Sequence, residues 1–478
     1  MVVARYDHRQ LVIVDRLRET VRLAAGLDDQ GRLSRESVVR ALQCLERFGQ
    51  RLSDMRAESV RVVGTNTMRK ARRKGAFLDR ARESLGHPIE IISGVEEARL
   101  IYLGVAHTTP HENGHRLVVD IGGGSTELII GEGLVAKRLE SLYMGSVSFS
   151  TEYFADGSIT ERRIKRARTA AQLELEPVVS RFRRSEWEQA FGSSGTMRAV
   201  SDVLLAHGSP NGAIDREGLE WMLQECLRAG STDKLRLPGL PVDRQEIIPG
   251  GLAIMVEIFD MLGVDKLRVA EGALREGLLY DLLGRLTDED SRVRSVRAME
   301  GRFHVDVAQA DRVEATALAF LRKVSDDWRL EDPLAEQILG WAARLHEVGL
   351  DISHSHYHHH GAYLLRNADM PGFPREEQLL LAALVGAHRR KLALEPLDDL
   401  IPPWHTRAEY LIVLLRLAVL LHRGRGPQSL PDVGLKAKGR SLTVSLTKRW
   451  LDDHPLTAAD LAQEVDYLQA AGFKLRLD

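Results

Sequence analysis

The sequence predicts an α/β region up to about residue 285, then a helical region, then a small closing β-α-β unit. Three observations predict it. Up to residue 285, short β-branched runs alternate with helical patterns, and glycine punctuates the junctions. Beyond residue 285, Leu and Ala recur with helical spacing and strand-like runs become rare. Near residue 433 strand-like runs return, with SLTVSL and FKLRLD on either side of the helical stretch TAADLAQEVDYLQAAG.

Taken in order, MVVAR and LVIVD read as a hairpin over 1–15. Val38, Leu42, Leu45, Phe48 and Leu52 share a helical face after a Ser34 cap. SVRVVG at 59–64 and PIEIIS at 88–93 read as strands. Thr65, Asn66, Thr67 and Arg69 follow the first at a strand-to-helix junction, a place that binds phosphate readily. Glu96 and Glu97 open the helix after the second, and helix-dipole effects alone account for one of the two.

The most informative stretch is RLVVDIGGGSTELIIGEG, Arg116 to Gly133. Two apolar runs flank a tight turn. Gly122, Gly123 and Gly124 let the backbone approach an anion closely, and successive amides with the Ser125 and Thr126 hydroxyls suit a phosphate. Asp120 and Glu127 bracket the turn and offer hard oxygen ligands to Mg²⁺. Further on, Met144, Gly145 and Ser146 form a small-residue turn, and 160–183 is helical. GSSGT at 192–196 is a third glycine and hydroxyl turn after the strand EQAFG. LPGL at 237–240 and IIPGGLAI at 247–254 read as loops before helices. KLRVAEGALREG at 266–277 reads as strand, turn and helix start, with Arg275 at its end.

Composition narrows the function classes. The length of 478 residues suggests roughly three or four domains. A formal charge of −2 excludes a globally basic nucleic-acid binder. Cys44 and Cys226 form neither a disulfide framework nor a metal motif, which fits a reducing compartment. No apolar run approaches the roughly 20 residues that span a bilayer, and the N-terminus has no signal pattern. A cytoplasmic location follows, with peripheral membrane association as the alternative.

The D-x-G-G-G-S-T-E string resembles the second phosphate loop of the actin and sugar-kinase superfamily. Its form DIGGGSTEL resembles the exopolyphosphatase and guanosine pentaphosphate phosphohydrolase family. GTNTMRKA at 64–71, IEIISGVEEARL at 89–100, GSSGTMRAV at 192–200, EGALREGLLYDL at 271–282 and LHEVGLDISHS at 345–355 carry the resemblance along nearly the whole chain. It implies duplicated actin-like, sugar-kinase-like (ribonuclease H-like) α/β domains over 1–101 and 102–284. It further implies an all-α HD-like domain over 285–432 and a small α+β unit over 433–478.

The implied chemistry is exopolyphosphatase activity, the processive hydrolysis of terminal phosphate from inorganic polyphosphate. The alternatives are guanosine pentaphosphate hydrolysis and non-catalytic polyphosphate or nucleotide sensing. Glu97 is the implied general base, and Arg69, the 122–126 loop, Gly145 and Ser146 the implied phosphate contacts. Asp120 and Glu127 are the Mg²⁺ ligands, and a homodimer is the expected assembly.

Two departures stand out. The family opens with a phosphate loop of the form D-x-G-S-N-S, whereas this sequence begins on the strand expected to follow it, MVVARYD matching LIIGEG. A chain starting there is expected to lack half the clamp and to be weakly soluble and weakly active. In the helical region His346, Glu347, His354, His356, His358, His359, His360 and His388 resemble an HD phosphohydrolase, but His346-Glu347 stands in place of His-Asp. The expectation is a structural relic, not an independent hydrolase or a working metal centre.

Overall fold

The computed structural model describes the chain apart from residues 8–9, 22, 29, 73, 111–113, 287–289, 393, 395–396, 398–399, 401–402 and 427–429. It resolves into two units, Met1–Asp290 and Ser291–Asp478.

The first unit opens with the antiparallel hairpin of β1 (Val2–Asp7) and β2 (Gln10–Arg16), as the alternating runs predict. The helix Arg35–Leu52 follows, and the Ser34 hydroxyl caps it by accepting from the Ser37 amide. The strands expected over 59–64 and 88–93 are shorter than the sequence suggests. β3 (Val63–Gly64) and β4 (Glu90–Ile91) pair only with each other, in parallel, and Ala57–Ser59 is a 3₁₀ turn. β propensity sets a strand's length only where neighbouring strands supply partners.

A six-stranded sheet organises the rest of this unit. Its strands are β5 (Arg116–Ile121), β6 (Thr126–Glu132), β7 (Val135–Leu142), β8 (Gln189–Ser193), β9 (Ile214–Asp215) and β10 (Lys266–Val269). The order is β7-β6-β5-β8-β10-β9. β5, β6 and β7 form an antiparallel meander, while β8 runs parallel to β5. Both faces of β5 are covered, which explains its unbroken apolar run. Leu117, Val119 and Ile121 join one apolar cluster, and Val118 joins the other together with Ile129, Phe191, Ala98, Ile101 and Tyr102. The helix Gly94–Thr108 therefore lies on the Val118 face. IIPGGLAI, expected as a loop, is the start of the helix Ile248–Leu262. Pro249 sits in the first turn, where its missing N–H costs nothing, and Gly250 and Gly251 lie against Ser150 and Thr196.

The second unit holds helices Val307–Trp328, Pro333–Leu345, Tyr357–Asn367, Arg375–Ala387 and Trp404–Leu421. The closing stretch adds β11 (Gly434–Lys438), β12 (Ser441–Ser445), the helix Pro455–Ala470 and β13 (Lys474–Leu477). β12 and β13 pair in parallel through that helix, and β11 adds a hairpin strand that the β-α-β reading omits. Leu435, Val444, Leu461 and Leu475 join the same apolar core as the helices, so this stretch does not form a core of its own.

A buried ion network fixes the start of the helix Gly94–Thr108. Arg99 holds Glu96 through two bonds of 2.8 Å, and Arg61 and Arg99 both reach Asp281. Arg285 adds a third guanidinium, 3.2 Å from Asp281. Together these cations hold the Asp281 carboxyl well below the ordinary carboxylate range, against burial. Asp281→Ala leaves these guanidiniums without their shared acceptor and should destabilise the first unit by about 3–5 kcal/mol. Urea unfolding of the full chain checks it; a loss under about 1 kcal/mol would show the network to be dispensable.

Candidate active site

Strand parity builds the site. Asp120 shares a face with Val118, Glu127 with Ile129, Ser141 with Leu139, and Ser193 with Phe191, because side chains alternate along a strand. Register then lines them up: Asp120 pairs with Glu127 and with Ser193, and Glu127 pairs with Ser141. One polar row, Ser141-Glu127-Asp120-Ser193, crosses four strands where the apolar face ends. The helix Gly94–Thr108 lies over this face and presents Glu97 to the row, and the Ser93 hydroxyl caps it by accepting from the Glu96 amide at 3.1 Å.

The electrostatics follow from that placement. Three carboxylates are buried close together: Glu97 is 8%, Asp120 8% and Glu127 1% exposed. Burial pushes Asp120 up to about 7; the Glu97 charge adds to this and the Ser193 hydroxyl opposes it. Burial, then the charges of Glu97 and Asp120, push Glu127 well above the usual range, while Ser125 and Ser141 act the other way. The Ser141 hydroxyl donates to Glu127 Oε1 at 2.9 Å. Burial also raises Glu97, opposed by the Arg69 guanidinium beside it.

The turn between β5 and β6 is held in shape from behind. The Gly122 amide donates to the Ser125 carbonyl at 2.9 Å. The amides of Gly123, Gly124 and Ser125 donate to no acceptor among the described residues, leaving three donors for an anion. Gly124 is closely approached: a Cβ there would lie 2.5 Å from Asn66 Nδ2, whereas one on Gly123 would meet nothing nearer than Val147 at 3.4 Å.

Several expected phosphate contacts take other roles. The Thr126 hydroxyl is fully buried and donates to the Met144 carbonyl at 2.7 Å. The Ser146 amide and hydroxyl both donate to the Gly122 carbonyl, at 2.9 and 3.1 Å. A Cβ on Gly145 would lie 2.4 Å from the Gly124 nitrogen. These three residues brace the loop, because their donors and space are taken up by its backbone. Arg69 is committed as well: it donates to Glu97 Oε2 at 2.8 Å and to the Ile92 carbonyl at 3.0 Å. Of the two glutamates, Glu96 belongs to the ion network and Glu97 to the site.

Ser141 and Arg244 do not stand out in the sequence, whereas Asn66 lies at the strand-to-helix junction already marked as a phosphate-binding place. Ser141 had a signal, since it stands opposite Glu127 once the meander is registered. Arg244 had none; its guanidinium would lie 2.4 Å from a Cβ on Gly195 in the GSSGT turn.

The donor set fits a magnesium ion. Mg²⁺ takes one or two carboxylates and otherwise keeps waters and substrate phosphates. Asp120 and Glu127 are directly paired carboxylates whose mutual repulsion a cation relieves. Among the described residues no group of three or more His, Cys, Asp or Glu is placed to hold a metal ion, so this pair would have to bind one with waters and substrate oxygens.

Residues 2–286 match the Ppx/GppA phosphatase family, and residues 291–465 match domain III of that family. The chain belongs to the Ppx/GppA phosphatase family. Its members hydrolyse phosphoanhydride bonds, and this chain is a hydrolase of that kind. It is 41% identical over 477 residues to a guanosine-5'-triphosphate,3'-diphosphate pyrophosphatase of Aeromonas hydrophila, covering 100% of this chain and 96% of the relative. A protein of the same name from Vibrio vulnificus is 38% identical over 478 residues, covering 100% of this chain and 95% of the relative. An exopolyphosphatase from Cytophaga hutchinsonii shares the fold at 21% identity with a TM-score of 0.53, over 59% of this chain and 93% of that one. Among the described residues no helix is long and apolar enough to cross a membrane.

Asp120 links the site to stability. Its carboxyl titrates near 4 when unfolded and about 7 when folded, so the folded state holds a proton that the unfolded state has lost. Its contribution is fully present below pH 4 and is lost as the pH rises through about 7. In metal-free buffer, Asp120→Asn should therefore be more stable than wild type at pH 8, by on the order of 2–4 kcal/mol, with the gain gone near pH 4. Parallel melting curves that keep the same separation at both pH values would rule out this cause.

Proposed function

We propose that this chain removes the terminal phosphate from the 5'-triphosphate of guanosine 5'-triphosphate 3'-diphosphate, using Glu97 to orient and deprotonate the attacking water. The observation that carries the substrate assignment is 41% identity through the whole length to a relative of that name. This reverses the order in which the motifs alone placed polyphosphate and the nucleotide. Polyphosphate stays as the second reading, since a structural relative of this fold is named an exopolyphosphatase. The meander of β5, β6 and β7 followed by parallel β8 and β10 supports an actin-like, ribonuclease H-like fold for the second α/β half. The helical unit is read as HD-like.

The chemistry needs an oriented water, neutralised phosphate charge and donors at the developing negative oxygens. Glu97 is a buried carboxylate held by the Arg69 guanidinium at 2.8 Å and by the Thr65 side chain, which fixes its orientation toward the attacking water. The amides of Gly123, Gly124 and Ser125 meet the terminal phosphate, braced by Ser146 and Thr126. Asp120 and Glu127 would hold Mg²⁺, which when bound would neutralise phosphate charge. Serines at both ends of the polar row orient the two carboxylates.

Phosphate release from the two substrates at equal terminal-phosphate concentration tests the assignment. The nucleotide should turn over faster, and faster release from long-chain polyphosphate would favour the second reading. Glu97→Gln should lower turnover of either substrate by about 10²–10⁴-fold. Near-normal turnover in Glu97→Gln would remove it from the chemistry.

A further inference from the structure

The second unit holds a partly open cavity of about 530 Å³ that the proposed reaction does not use. Its lining places cationic and histidine side chains together. The imidazoles of His346 and His388 are each 1% exposed. The Nδ1 of His346 lies 2.6 Å from the Ala343 carbonyl, and that of His388 lies 2.6 Å from the Val385 carbonyl. A carbonyl only accepts, so Nδ1 carries the proton in both rings. Burial lowers the pKa of both imidazoles and so favours the neutral ring, in which Nε2 is an acceptor. The His388 Nε2 has only the Tyr357 hydroxyl, at a long 3.4 Å. The His346 Nε2 has no donor among the described residues; its neighbour Glu347 is 3.9 Å away and is itself an acceptor.

The same cavity is lined by Arg389 and Arg390, and neither pairs with a carboxylate among the described residues. Arg389 lies over the Tyr357 ring at 4.6 Å. The other arginines of the lining are taken. Arg416 is locked to Glu464 at 2.5 and 3.0 Å, Arg423 to Asp460 at 2.7 Å, and Arg425 pairs with Glu347. That last pair puts a guanidinium where a divalent cation would need the Glu347 carboxylate.

A ligand that satisfies this lining must carry negative charge for the arginines and a hydrogen-bond donor for the imidazoles. A protonated phosphate has both, whereas sulfate at neutral pH has the charge and no donor. We propose that this cavity is a metal-independent binding site for a protonated phosphate group, either inorganic phosphate or a phosphate monoester, recognised by Arg389 and Arg390 and by the Nε2 atoms of His346 and His388.

The test uses the full chain, labelled with ¹⁵N-histidine, at pH 6.5 with a chelator present. Inorganic phosphate is titrated first, a simple phosphate monoester second and sulfate third. His346→Gln and His388→Gln assign the ring signals, so binding at the phosphate loop of the first unit is not mistaken for binding here. The expected result is a saturable change in both Nε2 signals with phosphate or the monoester and none with sulfate at equal concentration. Whichever of the two saturates at lower concentration identifies the source. Arg390→Ala removes an exposed side chain and should weaken the effect at least tenfold, while Arg390→Lys should restore most of it. No change with phosphate, an equal change with sulfate, undiminished binding in Arg390→Ala, or binding only after a divalent cation is added would each overturn the proposal.

Discussion

The site rests on one constraint: Asp120 and Glu127 occupy opposite positions of an antiparallel pair, on the face covered by the helix that carries Glu97. Like charges directly opposite one another on a sheet oppose folding. Everything around the pair answers that problem. Ser141 and Ser193 extend the row and donate to the two carboxylates, and Arg69 sits on Glu97. Burial keeps water from relieving the repulsion, so the carboxyls hold protons to unusually high pH. A bound cation would relieve this repulsion.

The rest of the first unit keeps that geometry rigid. The apolar clusters on both faces of β5 fix strand parity, which decides that Asp120 and Glu127 point to one side. Arg61, Arg99 and Asp281 anchor the helix Gly94–Thr108 through Glu96, so its neighbour Glu97 is free to serve the site. The braces from Thr126 and Ser146 fix the loop, leaving the amides of Gly123, Gly124 and Ser125 as its unshared donors. One consequence is a division of labour among hydroxyls: those of Ser141 and Ser193 orient carboxylates, while those of Thr126 and Ser146 hold backbone.

The parts legible in the sequence were the ones carried by a single contiguous string. Asp120 to Glu127 holds its glycines, hydroxyls and carboxylates within one turn, so the strand-turn-strand unit reads directly. The Ser34 cap and the hairpin over β1 and β2 were equally local. What escaped was supplied across the sheet or from a distant loop. Ser141 matters only because register sets it opposite Glu127, and Arg244 only because the fold brings it against Gly195. The failure over SVRVVG and PIEIIS has the same origin, since their propensity was right but their pairing extends over two residues each. Thr126 and Ser146 were misread because a hydroxyl near a phosphate loop looks alike whether it faces the ligand or the backbone behind it.

We infer that burial and mutual repulsion keep a proton on the Asp120 and Glu127 pair, and that a bound cation would replace it. Calorimetric titration of Mg²⁺ into the full chain, in two buffers of different ionisation enthalpy, counts that proton directly. The account predicts proton release at pH 7 that grows as the pH is lowered toward 6 and shrinks in Asp120→Asn. Magnesium binding with no proton released at either pH, and unchanged in Asp120→Asn, would contradict it.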